Sequence, residues 1–135
     1  MNKTIARLRD AMNAHDPEAM ARLFAPQYRS EQPLHPHRGF SGRDQVAANW
    51  GQMFTGIPDF EAGVVKESTD GSTTWSEWVW RGSHRDGSPF LMKGITVMGL
   101  DDAGLIVWAR LYVEPVEQGG AAIDDAVRQL SGTTG

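Results

Sequence analysis

Halfway along the chain the hydrophobic pattern changes from a helical period to strict alternation, and no other feature constrains the fold as much. Before Pro58 the apolar residues recur at helical spacing, as Ile5, Leu8, Ala11 and Met12, then Met20, Leu23 and Phe24, then Val46, Trp50, Met53 and Phe54. Beyond it Phe60–Ser68, Thr73–Arg81, Phe90–Leu100 and Leu105–Val113 are strand candidates rich in Val, Ile, Thr and Trp. Asp70-Gly71, Arg85-Asp86-Gly87-Ser88 and Asp101-Asp102-Ala103-Gly104 separate them, and all three are hairpin turns by composition. Strands joined by such short turns form an antiparallel meander. Helices followed by a meander predict an α+β fold, with three N-terminal helices packed on one face of a curved sheet.

Local signals mark the element ends. Asp16 suits a helix N-cap, Pro17 the first helical position, and Glu18 complements the helix dipole. Ser41-Gly42-Arg43-Asp44 resembles a capping box ahead of the third helix, which Gly56 and Pro58 end. Gln27 to Gly42 reads as irregular, with a short strand over Tyr28–Gln32. Gly119-Gly120 breaks the chain, Ala121–Leu130 reads as a C-terminal helix, and Ser131–Gly135 as a frayed tail. The expected organisation is one domain over 1–118 and a C-terminal extension over 119–135.

Composition removes several function classes. The 135 residues fit a single domain. With 13 Lys and Arg against 17 Asp and Glu, the net charge of −4 offers no footprint for nucleic acid or an anionic membrane. The absence of cysteine excludes disulfides, thiol catalysis and cysteine-based metal sites. No apolar run approaches the roughly 20 residues of a spanning helix. The amphipathic N-terminus does not read as a secretory signal, so a soluble, cytoplasmic chain is expected. No glycine-rich phosphate loop, Gly-x-Ser-x-Gly elbow or His-Glu-x-x-His occurs. His35-Pro36-His37 lacks an obvious third ligand, so no metal and no cofactor are expected.

The candidate chemistry lies on the strands and one loop. Trp75, Trp78, Trp80 and Trp108 fall on strands and Trp50 on the third helix; such rings either fill a core or line a small-molecule cavity. In the last strand Ile106, Trp108, Arg110, Tyr112 and Glu114 alternate with the wholly apolar Leu105, Val107, Ala109, Leu111 and Val113. Arg110 and Glu114 can form a surface ion pair, or their face can look into a pocket. In a pocket Glu114 would act as general acid or base, with Arg110, Arg29 and Glu31 as polar partners. Arg29 and Glu31 share a face if extended, and otherwise form a surface salt bridge. Tyr112, Trp78, Trp80, Trp108, His35 and Trp50 are the expected substrate contacts. If that face lines a pocket, the apolar face needs a cover, most simply a second copy in a homodimer.

Several phrases in order carry a family resemblance. They are Ala14-His15-Asp16-Pro17-Glu18-Ala19, Phe40-Ser41-Gly42-Arg43-Asp44, Phe54-Thr55-Gly56-Ile57-Pro58-Asp59-Phe60, Trp80-Arg81-Gly82-Ser83-His84, and Gly104-Leu105-Ile106-Val107 running on to Glu114. Over about residues 3–118 the chain resembles SnoaL-like members of the nuclear-transport-factor-2-like superfamily, which includes polyketide cyclases, limonene epoxide hydrolase and ketosteroid isomerase. The resemblance implies a cone-shaped sheet wrapped around the helices, enclosing a pocket and often dimeric through the sheet. It also implies that Glu114 occupies the position of the cyclases' acid/base Asp. Trp78 and Trp80 align where the epoxide hydrolase carries part of its relay, so that relay is not implied. The expected function is cofactor-independent acid/base chemistry of the isomerase, cyclase, dehydratase or hydrolase type on a hydrophobic, oxygenated small molecule. The alternative is a non-catalytic ligand-binding or interaction module in the same cone.

Overall fold

The computed structural model describes residues 1–133, so the last two positions of the expected tail, Thr134 and Gly135, lie outside the described residues. Helix α1 (Lys3–Asn13) starts where the Asn2 side chain accepts hydrogen bonds from the backbone N–H groups of Thr4 and Ile5. It buries Ile5, Leu8, Ala11 and Met12. A left-handed turn at His15 (φ 53°) leads into α2 (Pro17–Ala21), whose N-cap Asp16 accepts from Ala19 N–H. The His15 ring holds this turn, with Nε2 2.7 Å from the Phe60 carbonyl oxygen and its face stacked on Phe54.

Helix α2 stops at Ala21, before the end of its apolar period, and Phe24 already belongs to β1 (Phe24–Glu31). Pro26 bars the helix from running through Ala25, because it supplies no N–H and disfavours helical geometry in the residue before it, and β1 already begins at Phe24. The pairing of β1 with β6 shifts register between Phe24 and Arg29, the stretch that contains Pro26. After a 3₁₀ turn at Pro36–Arg38 and the short β2 (Phe40–Ser41) comes α3 (Arg43–Gly56). Its N-cap is Gly42 at φ 95°, and no side chain caps it. The expected capping box is not made, because Ser41 is held in β2, opposite Arg29 of β1.

Strands β3 (Glu61–Asp70), β4 (Thr73–Ser83), β5 (Pro89–Leu100) and β6 (Ile106–Pro115) form the expected antiparallel meander. Strand β1 adds to it in parallel beside β6, giving a mixed, open six-stranded sheet in the order β2-β1-β6-β5-β4-β3. The fold is α+β, with a curved sheet around α1, α2 and α3. One row across the sheet runs Val64, Trp78, Gly94 and Val113. Gly94, at φ 156°, lies so close to β6 that a Cβ there would run into the Tyr112 carbonyl oxygen. A glycine deep inside a central strand lets two backbones approach and the sheet bend.

Helix α4 (Ile123–Ser131) ends at Gly132, a left-handed C-cap. It buries none of its residues, and Ile123, Val127 and Leu130 stay exposed. Among the described residues, no helix is long and apolar enough to cross a membrane.

Candidate functional site

The alternation of β4 and β5 decides which side chains point at the helices. On β4, Thr74, Ser76, Trp78 and Trp80 are buried while Trp75, Glu77 and Arg81 are exposed. On β5, Met92, Thr96 and Met98 face inward, and Lys93 and Ile95 outward. Strand β6 would continue this simply but for one extra residue. Gly99 pairs with Trp108 and Leu100 with Ile106, so Val107 is a bulge. The bulge reverses the alternation: Ile106 points inward, and so do Ala109, Leu111 and Val113 beyond it.

The facing read from the alternation of the last strand is therefore reversed. The apolar residues Ala109, Leu111 and Val113 look toward the helices, and Trp108, Arg110, Tyr112 and Glu114 lie on the outer face. Trp108 lies over Gly99, where a Cβ would collide with its indole. The Arg110 guanidinium sits 4.9 Å from the Trp108 ring centre, a cation–π stack. Aromatic bulk beside charge thus arises on an outer face, through a glycine that gives the ring a seat.

Inside, the sheet and helices enclose a cavity of about 220 Å³. Leu8 and Met12 of α1, Met20 of α2 and Val46, Trp50 and Met53 of α3 form one side. Phe24, Phe40, Trp80, Met92, Met98 and Leu111 from the sheet complete the apolar wall. The polar side chains on the wall are Tyr28, Ser30, Gln32, Asn49 and Thr96. Among the described residues, no Asp, Glu, His, Lys or Arg lines it. Burial pushes the Tyr28 phenol up to about 12, with the nearby Ser30 hydroxyl pulling slightly the other way. Tyr28 therefore stays protonated at neutral pH and meets the cavity as a neutral hydroxyl. A wider depression beside Asn13, His15, Asp59 and Glu61 is open to solvent and encloses nothing.

Of the residues singled out in the sequence, Trp50 and Trp80 line this cavity. Trp78 is packed just behind it, only 1% exposed, and its Nε1 donates to Thr96 Oγ1 at 3.0 Å. Arg29 and Glu31 pair with each other at 3.3 Å on an exposed stretch of β1, a geometry that contributes little to stability. Glu114 pairs not with Arg110 but with His35, whose Nε2 lies 2.7 Å from Glu114 Oε1. That contact ties the loop between β1 and β2 to the end of β6, with both side chains about one-third exposed. Tyr112 and Trp108 accompany Arg110 on the outer face.

Sequence reasoning missed Tyr28, Ser30, Gln32, Asn49 and Thr96 as wall residues. These neutral side chains carried no signal of chemistry, and only the tertiary fold brings them to one space. Methionine offered a partial signal. Of the six in the chain, Met12, Met20, Met53, Met92 and Met98 line the same cavity.

Comparison with known proteins gives a consistent family. The profile of the SnoaL-like domain matches residues 5–109. Among solved structures, IdmH from Streptomyces antibioticus, described as a candidate polyketide cyclase, is similar at 25% identity and a TM-score of 0.71, over 82% of this chain and 89% of that one. A SnoaL-like candidate polyketide cyclase from Jannaschia sp. CCS1 is similar at 20% identity and a TM-score of 0.71, over 83% of each chain. A hypothetical protein of ketosteroid isomerase-like fold from Catenulispora acidiphila, solved with trimethylamine, has 17% identity and a TM-score of 0.71, over 80% of this chain and 82% of that one. Among curated proteins none matches the sequence.

Proposed function

Because the chain belongs to the SnoaL-like domain family, whose cone is a frame for a central pocket, we propose that this protein binds a small, largely apolar molecule in the cavity between its sheet and helices. The observation that carries this reading is the wall itself: concave, predominantly apolar, and furnished with a few neutral hydrogen-bonding groups. The ionisable groups that would perform proton transfer, Glu114, Arg110, Glu31, Arg29 and His35, are absent from that wall. Binding without turnover is therefore better supported than acid/base catalysis through Glu114.

One observation favours a second, catalytic reading. Tyr28 brings a buried phenol to the cavity, and such a donor can stabilise negative charge developing on a substrate oxygen. The structural relatives described as candidate polyketide cyclases fit that chemistry. A base to complete it is missing from the wall, which leaves binding as the conclusion.

The two readings diverge in one variant. Small apolar compounds that raise the melting temperature of the wild type should raise that of Glu114→Gln equally, with affinity within about twofold by calorimetry. A tenfold loss of affinity, or a loss of turnover with affinity kept, would return Glu114 to the site and favour the acid/base reading.

The outer face of the sheet supports a homodimer. Trp75 and Ile95 stand 40% and 37% exposed there, with Val97 and Tyr112 beside them. Charges of both signs, Glu77, Lys93, Arg110 and Glu114, surround these apolar residues. A patch that carries both partners of each possible ion pair can meet its own copy across a two-fold axis. Sedimentation velocity at micromolar concentration is expected to return twice the chain mass, and a monomer would count against the pairing.

A further inference from the structure

The last helix is short, amphipathic and uncovered. Helix α4 has nine residues. An isolated helix below about 12 residues is marginal in water and gains its stability by packing an apolar face. That face is the stripe Ile123, Val127 and Leu130, which stands 75%, 51% and 88% exposed. Asp124, Asp125, Arg128 and Gln129 occupy its flanks and opposite side.

The lining residues of the cavity locate its open end. Leu8, Met12, Met20, Phe24 and Tyr28 close one end and are buried. Gln32, Phe40, Asn49, Trp50, Met53 and Met92 keep part of their surface in solvent and ring the mouth. The chain leaves the sheet at this rim. Pro115 pairs with Met92, the Val116 N–H donates to the Leu91 carbonyl, and Glu114 holds the β1–β2 loop through His35.

We propose that α4 is a lid: it turns about Gly119-Gly120 and docks its apolar stripe across the mouth of its own chain's cavity, closing it over the bound molecule. This rests on the binding reading above and adds how that site is shut.

Reach, hinge and chemistry select the mouth over other surfaces. The connector between Pro115 and Ile123 spans roughly 25 Å when extended, and α4 is about 14 Å long. The helix therefore reaches across an opening that lies at its own point of departure. A Cβ at Gly119 would meet nothing within 4 Å, so the connector can turn there without displacing a neighbour. The rim offers Phe40, Trp50, Met53 and Met92 to the stripe, whereas the apolar residues of the outer sheet face stand among Glu77, Lys93, Arg110 and Glu114. Charge agrees, because α4 begins with Asp124 and Asp125 and the loop at the rim carries the exposed His37 and Arg38. Closing the mouth would also keep water from the apolar wall.

The chain has no cysteine, so engineered pairs report on docking in the full protein. Val127→Cys combined with Gln32→Cys or with Asn49→Cys, from two sides of the mouth, should form an intramolecular disulfide on mild oxidation in at least one pairing, read by peptide mass mapping. Gln129→Cys in place of Val127→Cys uses the same tether from the opposite face of the helix, and should link about tenfold less. Equal linkage from both faces would mean a tethered helix that does not dock. Disulfides between two chains would give the stripe to a second copy, and no linkage at either rim position would leave it undocked. Each of these results overturns the lid. The second measurement uses N-phenyl-1-naphthylamine, a neutral dye whose fluorescence rises when it leaves water. By stopped flow it should escape about tenfold faster from the double variant Ile123→Asp, Leu130→Asp than from wild type. Both positions are exposed in the open form, so the variant keeps the fold. Equal escape rates would overturn the lid and leave binding intact. No binding of the dye to wild type would remove the binding reading and the lid's role with it, whereas the disulfide pattern reads the docking independently.

Discussion

Leu111→Asp should destabilise the fold by about 3 kcal/mol or more and abolish ligand binding, whereas Arg110→Asp, one residue earlier, should cost about 1 kcal/mol or less. Leu111 packs against the core and lines the cavity, so a carboxylate there would lose its hydration with no cation on the wall to pair with it. It would protonate or force the cavity open to water. The Arg110 side chain is exposed on the outer face, where its stack on Trp108 is the main contact at risk. Chemical denaturation of the two variants measures the difference directly. Equal losses, or a larger loss at Arg110, would show that the β6 bulge at Val107 does not set the facing of this strand.

Gly94→Ala is the second large effect expected. A methyl group at Gly94 meets the Tyr112 carbonyl oxygen and lies 2.7 Å from the Val113 Cα, both backbone atoms of the neighbouring strand. Flexible side chains can move aside, but a hydrogen-bonded strand in the middle of a sheet cannot. The positive φ adds strain for any residue with a Cβ. Forced overpacking of this kind costs about 3 kcal/mol, and for a domain of this size that lowers the melting temperature by roughly 10 °C. Gly63→Ala on β3 is the matched control, since a methyl there has nothing within 4 Å. It should be neutral or slightly stabilising, through the loss of chain freedom in the unfolded state. A melting temperature for Gly94→Ala within a few degrees of wild type would mean that the β5–β6 approach is looser than the structure has it.

The candidate site was only partly legible in the sequence, and the reasons differ by residue. Trp50 and Trp80 were visible as large rings on predicted elements, and both line the cavity. The expectation for Glu114 and Arg110 rested on unbroken alternation over the last strand. Alternation is a reliable guide only while every residue of a strand has one partner opposite, and the extra residue at Val107 breaks that condition. Nothing local to Ile106-Val107-Trp108 announces the bulge. It shows only in the pairing with the neighbouring strand, where Gly99 lies against the Trp108 indole and the register shifts before Leu100. The contact between His35 and Glu114 joins residues far apart in sequence, and no spacing rule could have paired them.

By itself the sequence determined the class of fold, because helical and alternating periods are local consequences of side-chain direction. It determined the meander of the last four strands, since three short turns leave consecutive strands little choice but to pair. It also determined the start of α2 at Asp16 and Pro17, where cap and backbone chemistry reside in adjacent residues. Only the tertiary structure decided that β1 runs parallel beside β6, which face of β6 is buried, and that five methionines share a cavity. These are long-range outcomes: they depend on register and close approach between strands distant in the chain, and a one-residue shift in either exchanges the inside of a sheet for its outside.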